Sequence, residues 1–217
     1  MRAVTHLPVT VKTRIGVDDC DDYGFLRDFV GIVAEAGCDT FILHARKAYL
    51  AGLSPKENRT VPPLRYDVVY RLRREFPDLR LIINGGIETV AGVRAHLAAG
   101  LDGVMIGRKA YADPWWLTEL DALLLTDNAL DRSLSRADVV LAMVRYAERE
   151  CSAGTRLHHI SRHLLGLYHC QPGARSWRRA LTLGAARADA GPTVLRDALD
   201  SVETIDSSES VLRATGT

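Results

Sequence analysis

Apolar and polar positions alternate between two periods along this chain. Short β-branched or aliphatic runs (Val9–Val11, Thr40–Leu43, Leu81–Ile83, Val104–Ile106) are each bounded by polar or glycine residues, and they predict strands near 9–14, 40–44, 80–84 and 103–107. Between them the period lengthens to that of a helix. Phe25, Leu26, Phe29, Val30 and Val33 predict one apolar helix face over 23–36, and Val68, Val69 and Leu72 a second over 67–76. Val90, Val93, Ala95, Leu97 and Ala98 predict a third, closed by Gly100. Four strand-then-helix units at this spacing describe a parallel sheet with helical crossovers, the amount of structure in half of a β/α barrel. After Pro114-Trp115-Trp116 starts another helix, residues 127–135 are polar and irregular. From Arg136 onward Val139, Val140, Met143, Val144, Ala147, Ile160, Leu164, Leu165 and Leu167 predict helix only. The predicted fold class is α/β: the second half of a β/α (TIM-type) barrel over 1–126, then an all-helical domain over 127–217.

Composition changes this picture little. The chain of 217 residues is 47% hydrophobic and 25% charged with a net charge of +1, as in ordinary soluble globular proteins. No apolar run approaches the ~20 residues of a bilayer span, and the N-terminus lacks the apolar core of a signal peptide. Cys20, Cys38, Cys151 and Cys170 show no CxxC spacing, so neither a zinc site nor a disulfide framework is indicated. These features predict a cytoplasmic protein with no metal and no membrane association. Asp18, Asp19, Asp21 and Asp22 precede a predicted helix, where negative charge suits the dipole.

Charge distribution is more telling than net charge. Between Glu150 and Asp189 there is no acidic residue, while Arg156, Arg162, Arg175, Arg178, Arg179 and Arg187 fall in that span with four histidines. Such a one-sided patch predicts a polyanionic partner. The loop from Arg46 to Pro63 carries Arg46, Lys47, Lys56 and Arg59 against the single acid Glu57, and a loop this long is more often functional than accidental.

Candidate chemistry gathers at the carboxyl ends of the predicted strands. Asn84-Gly85-Gly86 ends one strand with two glycines, which leave amide N–H groups uncovered, and Gly107-Arg108 ends the next. In a β/α barrel, loops after the last two strands form a frequent phosphate site, to which Arg108 adds a fixed cation. His44 sits at the end of a third strand. Lys12 lies in the carboxyl half of the first, where an unpaired ammonium is costly to bury without a purpose.

The stretches PVTVKTRIG, FILHARKAYLAGLSPKENR, INGGI, GVMIGRKAY and RHLLGLYHCQPGARSWRR resemble the flavin-dependent tRNA-dihydrouridine synthases, and specifically their A-type subfamily. The resemblance implies a barrel that binds FMN at its C-terminal face, followed by a helical domain that helps cradle tRNA. It implies NADPH-linked reduction of uridine to dihydrouridine in the D-loop, in the position 20 region. It assigns Lys12 and His44 to the flavin ring system, and Asn84, Gly85, Gly86, Gly107 and Arg108 to the ribityl-phosphate. Lys56, Arg59, Arg175 and Arg178 become tRNA contacts. The family also has four earlier strands and a cysteine, in an Asn-x-x-Cys-Pro-like loop, that protonates the uracil ring. None of the four cysteines here stands in that context, so no catalytic acid is assigned and this chain, read as a truncated fragment, a misplaced start or a remnant, is expected to be inactive alone. Two other readings stand beside this one: a phosphate-binding barrel aldolase or isomerase with Lys12 as Schiff-base amine, and a non-catalytic RNA-binding remnant.

Overall fold

The computed structural model describes residues 4–124 and 134–202. Two compact units divide the chain, 1–106 and 107–217. The boundary expected between 126 and 127 falls outside the described residues.

In the first unit, strands β1 (Val11–Arg14), β2 (Thr40–His44), β3 (Arg80–Asn84) and β4 (Gly103–Met105) form one parallel sheet in that order. Helices α1 (Tyr23–Glu35), α2 (Tyr66–Glu75) and α3 (Val90–Ala98) connect them. Each of the first three strands is thus followed by the helix its period predicts, and the strand ends fall within two residues of expectation; after β4 a short helix at Arg108–Ala112 precedes the one expected from Pro114, which opens as a 3-10 turn. Alternation along the strands sorts the side chains. Phe41, Leu43, Leu81 and Ile83 share one parity and are fully buried, and the helices bring Leu26, Val30, Val69, Leu72 and Val93 to the same buried state. The opposite parity forms two rows across the sheet. Lys12, Ile42, Ile82 and Gly103 lie in register, and beyond them, at the carboxyl ends, Arg14, His44, Asn84 and Met105. Ile42 and Ile82 are only half-buried, so this second face is not sealed as the first is.

Local chemistry sets the helix ends. Asp22 caps α1 by accepting from the Phe25 N–H at 3.0 Å, and Thr89 caps α3 through the Gly92 N–H. One expectation about α1 fails. Phe25 and Phe29 were expected on the same buried face as Leu26 and Val30, yet they are 44% and 38% exposed. A stripe of i, i+1, i+4 and i+5 positions is wide, and only its Leu26 and Val30 half is covered here.

The second unit is helical: α4 (Arg108–Ala112), a 3-10 turn (Pro114–Trp116), α5 (Leu117–Leu124), α6 (Arg136–Ser152), α7 (Leu157–Ser161), α8 (Ala174–Gly184) and α9 (193–202). A capping box opens α6, with Ser135 Oγ accepting from the Asp138 N–H and the Asp138 carboxylate accepting from the Ser135 N–H. The core joins Val140, Val144, Ile160, Leu164, Trp177, Leu181 and Leu195. Trp177 is fully buried, its indole N–H donating to the Leu164 carbonyl at 2.9 Å. The helix expected to run on through Leu167 stops instead at Ser161. Beyond it the His163, Leu164 and Leu167 N–H groups bond to carbonyls three residues back, the pattern of tight turns. Gly166 explains the change, since a β-carbon there would lie 2.2 Å from the Ala112 carbonyl oxygen and the chain closes in on that backbone.

Candidate functional site

A cavity of about 830 Å³ opens in the first unit at the carboxyl ends of β1, β2 and β3. Its wall includes Lys12, Arg14, His44, Asn84 and Arg59, with Phe25 and Phe29 on an apolar side. The exposed phenylalanines of α1 therefore belong to a site wall. Three candidates from different strands or their ends (Lys12, His44, Asn84) and one from the long loop (Arg59) meet here.

The register explains the convergence. Arg14, His44 and Asn84 are Cα neighbours in one row, and Lys12 stands one pleat behind on the same face. Asn84 is fixed by donating its amide to the Met105 carbonyl at 2.7 Å. The turn after it is tightly held. Gly85 and Gly86 have φ of +108° and +68°, and the Gly85 carbonyl accepts from the Tyr66 hydroxyl at 2.7 Å. A β-carbon on Gly85 would stand 2.6 Å from His44 Cδ2, and one on Gly86 would stand 2.4 Å from Leu64 Cδ1. Tyr66 is backed in turn by the buried His96, ring centroids 4.6 Å apart and edge to face, and His96 Nδ1 pairs with the Tyr70 hydroxyl at 2.8 Å. Burial holds the His96 pKa below the usual histidine value.

Positive charge dominates the cavity. Burial first, and the Arg14 guanidinium second, hold the Lys12 ammonium below the ordinary lysine pKa. Arg14 is itself lowered by burial, then by Arg46 and Arg59. Such mutual repulsion is relieved by an anion.

The long loop is ordered by these cations. Arg14 Nη1 donates to the carbonyls of Lys47 and Asn58, each at 2.8 Å. Arg46 Nη1 donates to the Pro62 and Thr60 carbonyls. The Asn58 side chain bridges Tyr49, accepting from its N–H and donating to its carbonyl, both at 2.8 Å. Lys47 pairs with Asp21 at 2.9 Å, and Leu50 N–H donates to Asp18 at 2.9 Å, so Asp18, Asp21 and Asp22 all have structural tasks. This scaffold presents Lys56 and Arg59, both exposed, around the short turn Glu57–Arg59.

Gly107 and Arg108 open the second unit, Gly107 just before α4 and Arg108 as its exposed first residue. On α8, Arg175 and Arg178 are exposed while Trp177 between them is buried, as their helical phases require. Neither arginine has a carboxylate within ion-pair distance among the described residues.

Sequence reasoning passed over Arg14, Tyr66 and His96. Arg14 was within reach, because it shares the parity of Lys12. Tyr66 and His96 act through a fold-level meeting of α2 and α3 that no local pattern announces.

Parallel β/α units with an electropositive cavity at the carboxyl ends of the strands define an α/β protein whose site suits an anionic ligand. The chain belongs to the dihydrouridine synthase (Dus) family, whose model matches residues 1–203. It is 52% identical over 203 residues to the tRNA-dihydrouridine(20/20a) synthase of Escherichia coli K12, covering 93% of this chain and 58% of that protein. It is 48% identical over 204 residues to those of Shewanella oneidensis (94% and 60%) and Vibrio cholerae (93% and 61%). The chain thus spans about three-fifths of the length of these curated relatives. No described helix is long and apolar enough to cross a membrane.

Proposed function

We propose that this chain supplies part of an enzyme that reduces uridine to dihydrouridine in the D-loop of tRNA, in the position 20 region, with FMN as cofactor and NADPH as reductant. The observation that carries this reading is the convergence of Lys12, His44 and Asn84 on one electropositive cavity in a chain of this family. The parallel sheet is then the second half of a TIM-type barrel, whose open face with its rows of Lys12 and Arg14 looks inward, and the helical part is a tRNA-binding domain.

FMN suits the residues present. The turn at Gly85 and Gly86 carries no side chains of its own, and its positive φ angles and close neighbours leave no room for any; it follows directly on Asn84, which lines the cavity, though neither glycine does. A cavity of about 830 Å³ is within the range that takes a cofactor of this size. When bound, FMN supplies the hydride chemistry. Around it Lys12, whose pKa burial and then Arg14 hold below the ordinary lysine value, would provide a cation for the electron-rich edge of the ring system. His44, pressed against Gly85, fixes the ring's edge. The amides of Gly85 and Gly86, with Asn84, Gly107 and Arg108, bind the phosphate. Lys56 and Arg59 on the ordered loop, and Arg175 and Arg178 on α8, neutralise tRNA phosphates.

The proton for the uracil ring comes from none of this chain's cysteines. Cys38 is buried with its Sγ on backbone carbonyls of Val9 and Thr40, and neither Cys20, Cys151 nor Cys170 lines the cavity. The chain alone is therefore expected not to turn over. The test is a titration of FMN fluorescence with the purified chain and its Arg108→Ala variant. Quenching is expected, with affinity weakened in the variant by roughly 1.5–3 kcal/mol, about 10- to 150-fold. No quenching refutes the cofactor assignment, and equal affinity in the variant refutes the phosphate role of Arg108. The lowered pKa of Lys12 also suits a Schiff-base amine, and borohydride trapping of a carbonyl ligand on Lys12 is the result that would favour an aldolase instead.

A further inference from the structure

The second unit holds a cavity of its own. About 510 Å³ lies between α7 and α8, and Arg156, His158 and Arg162 contribute cationic or ionisable groups to its wall. The rest of the wall is mostly apolar: Leu181 and Ala185 are buried and Leu165 is half-buried, with Ser161 and Thr182 adding hydroxyls. Arg156 and Arg162 are exposed and, among the described residues, neither has a carboxylate within ion-pair distance. Nor does the sequence offer one nearby, since residues 151–188 contain no acid. His158 stands against His159, ring centroids 3.9 Å apart, and both arginines act on its charge.

From this juxtaposition we propose that the cavity between α7 and α8 binds a phosphorylated nucleoside, its phosphate between Arg156 and Arg162 and its base on the apolar wall of Leu165, Leu181 and Ala185. The two chemistries fix the ligand class. Two unpaired guanidiniums facing one space ask for a phosphate, which they bind by charge-assisted forks. Cations alone would be met by any anion, but an apolar floor beside them suits a ligand that carries a flat apolar face as well as a charge. A base has such a face, and it gains further from guanidinium and imidazole planes at the rim. The volume is several times that of a bare phosphate and fits a mononucleotide. This site shares no residue with the cavity of Lys12 and His44 or with the pair Arg175 and Arg178, so it stands whether or not the FMN reading does.

The ligand's chemistry has two sources, a free mononucleotide or one nucleotide of an RNA strand. The experiment titrates uridine 5′-monophosphate, uridine and inorganic phosphate into the full chain by calorimetry, then repeats the first with Arg156→Gln/Arg162→Gln. The nucleotide is expected to bind at least tenfold more tightly than phosphate or uridine, and the double variant to lose at least tenfold at an unchanged melting temperature. Both altered residues are exposed, so folding is not at stake. Equal nucleotide affinity in the variant, which would place the binding elsewhere, overturns the proposal. So does uridine or phosphate binding as tightly as the nucleotide. Unmodified tRNA added as competitor separates the sources: displacement of the nucleotide marks the pocket as a reader of an RNA strand, and simultaneous binding marks it as a mononucleotide site.

Discussion

Replacing Gly85 by alanine tests the architecture of the site at its tightest point. The residue has φ of +108°, which costs an L-residue about 1–2 kcal/mol. The added β-carbon would stand 2.6 Å from His44 Cδ2, 2.9 Å from His44 Nε2 and 3.2 Å from Leu64 Cδ2. His44 cannot stay where it is. Driving its ring off a rotamer adds about 0.5–1.5 kcal/mol, so the variant should lose roughly 2–3 kcal/mol. For a unit of about 100 residues that is a fall in melting temperature of roughly 8–24 °C. Gly52→Ala is the control, because Gly52 also has positive φ, +81°, but a β-carbon there meets nothing within 4 Å. It should lose only the backbone part, about 1 kcal/mol. Thermal and urea melts of both variants separate strain from collision. Flavin titration then asks whether moving His44 reshapes the cavity, which Gly52→Ala should leave intact. If the two variants melt together, the contact between His44 and the glycine turn is not the constraint argued for, and the account of the turn fails.

Three further outcomes are expected. His96 is buried with a lowered pKa, so as pH falls below 6.5 the unfolded chain takes up a proton that the native imidazole resists, and stability drops; His96→Gln should flatten that part of a stability–pH curve, and an unchanged slope refutes the assignment. Arg14→Lys removes a guanidinium that holds the Lys47 and Asn58 carbonyls together, so limited proteolysis within 46–63 should accelerate roughly tenfold or more. Arg175→Ala/Arg178→Ala should lower the slope of log affinity against log salt for tRNA by roughly 1–2, and equal slopes would withdraw α8 from the RNA-binding surface.

The strand-and-helix order of the first unit was legible because each element there satisfies its own local rule. The runs Thr40–Leu43 and Leu81–Ile83 read as strands buried on both faces; Phe41, Leu43, Leu81 and Ile83 are fully buried, while Ile42 and Ile82 on the other face are only half-buried. Legibility fails where a residue's state depends on a partner far along the chain. The apolar stripe of α1 looked like five equivalent core positions, but Leu26 and Val30 are buried while Phe25 and Phe29 stay exposed at the cavity wall. The run from Ile160 to Leu167 has helical periodicity, and its Ile160, Leu164 and Leu167 are indeed core. Their backbone is nevertheless turned, because Gly166 meets the carbonyl of Ala112, a contact no window of neighbouring residues contains.

The site shows the same division more sharply. That Asn84-Gly85-Gly86 must turn is written in the residues themselves; why both positions are glycine is not. One neighbour is His44, brought alongside by the pairing of β2 with β3, and the others are Leu64 and Tyr66 at the start of α2. Tyr66 holds the turn by its carbonyl, and the His96 ring from α3 backs Tyr66. The turn is thus fixed on one side by the strand that carries a candidate functional residue and on the other by two helices. A change at His96, which does not line the cavity, can therefore reach His44 through Tyr66 and Gly85. Tyr66→Phe removes the hydroxyl but keeps the ring against His96, and separates these links: the turn should loosen, and flavin affinity fall, while the pH dependence owed to His96 survives. Unchanged flavin affinity in Tyr66→Phe would mean that the aromatic packing, rather than the hydrogen bond to Gly85, sets the turn.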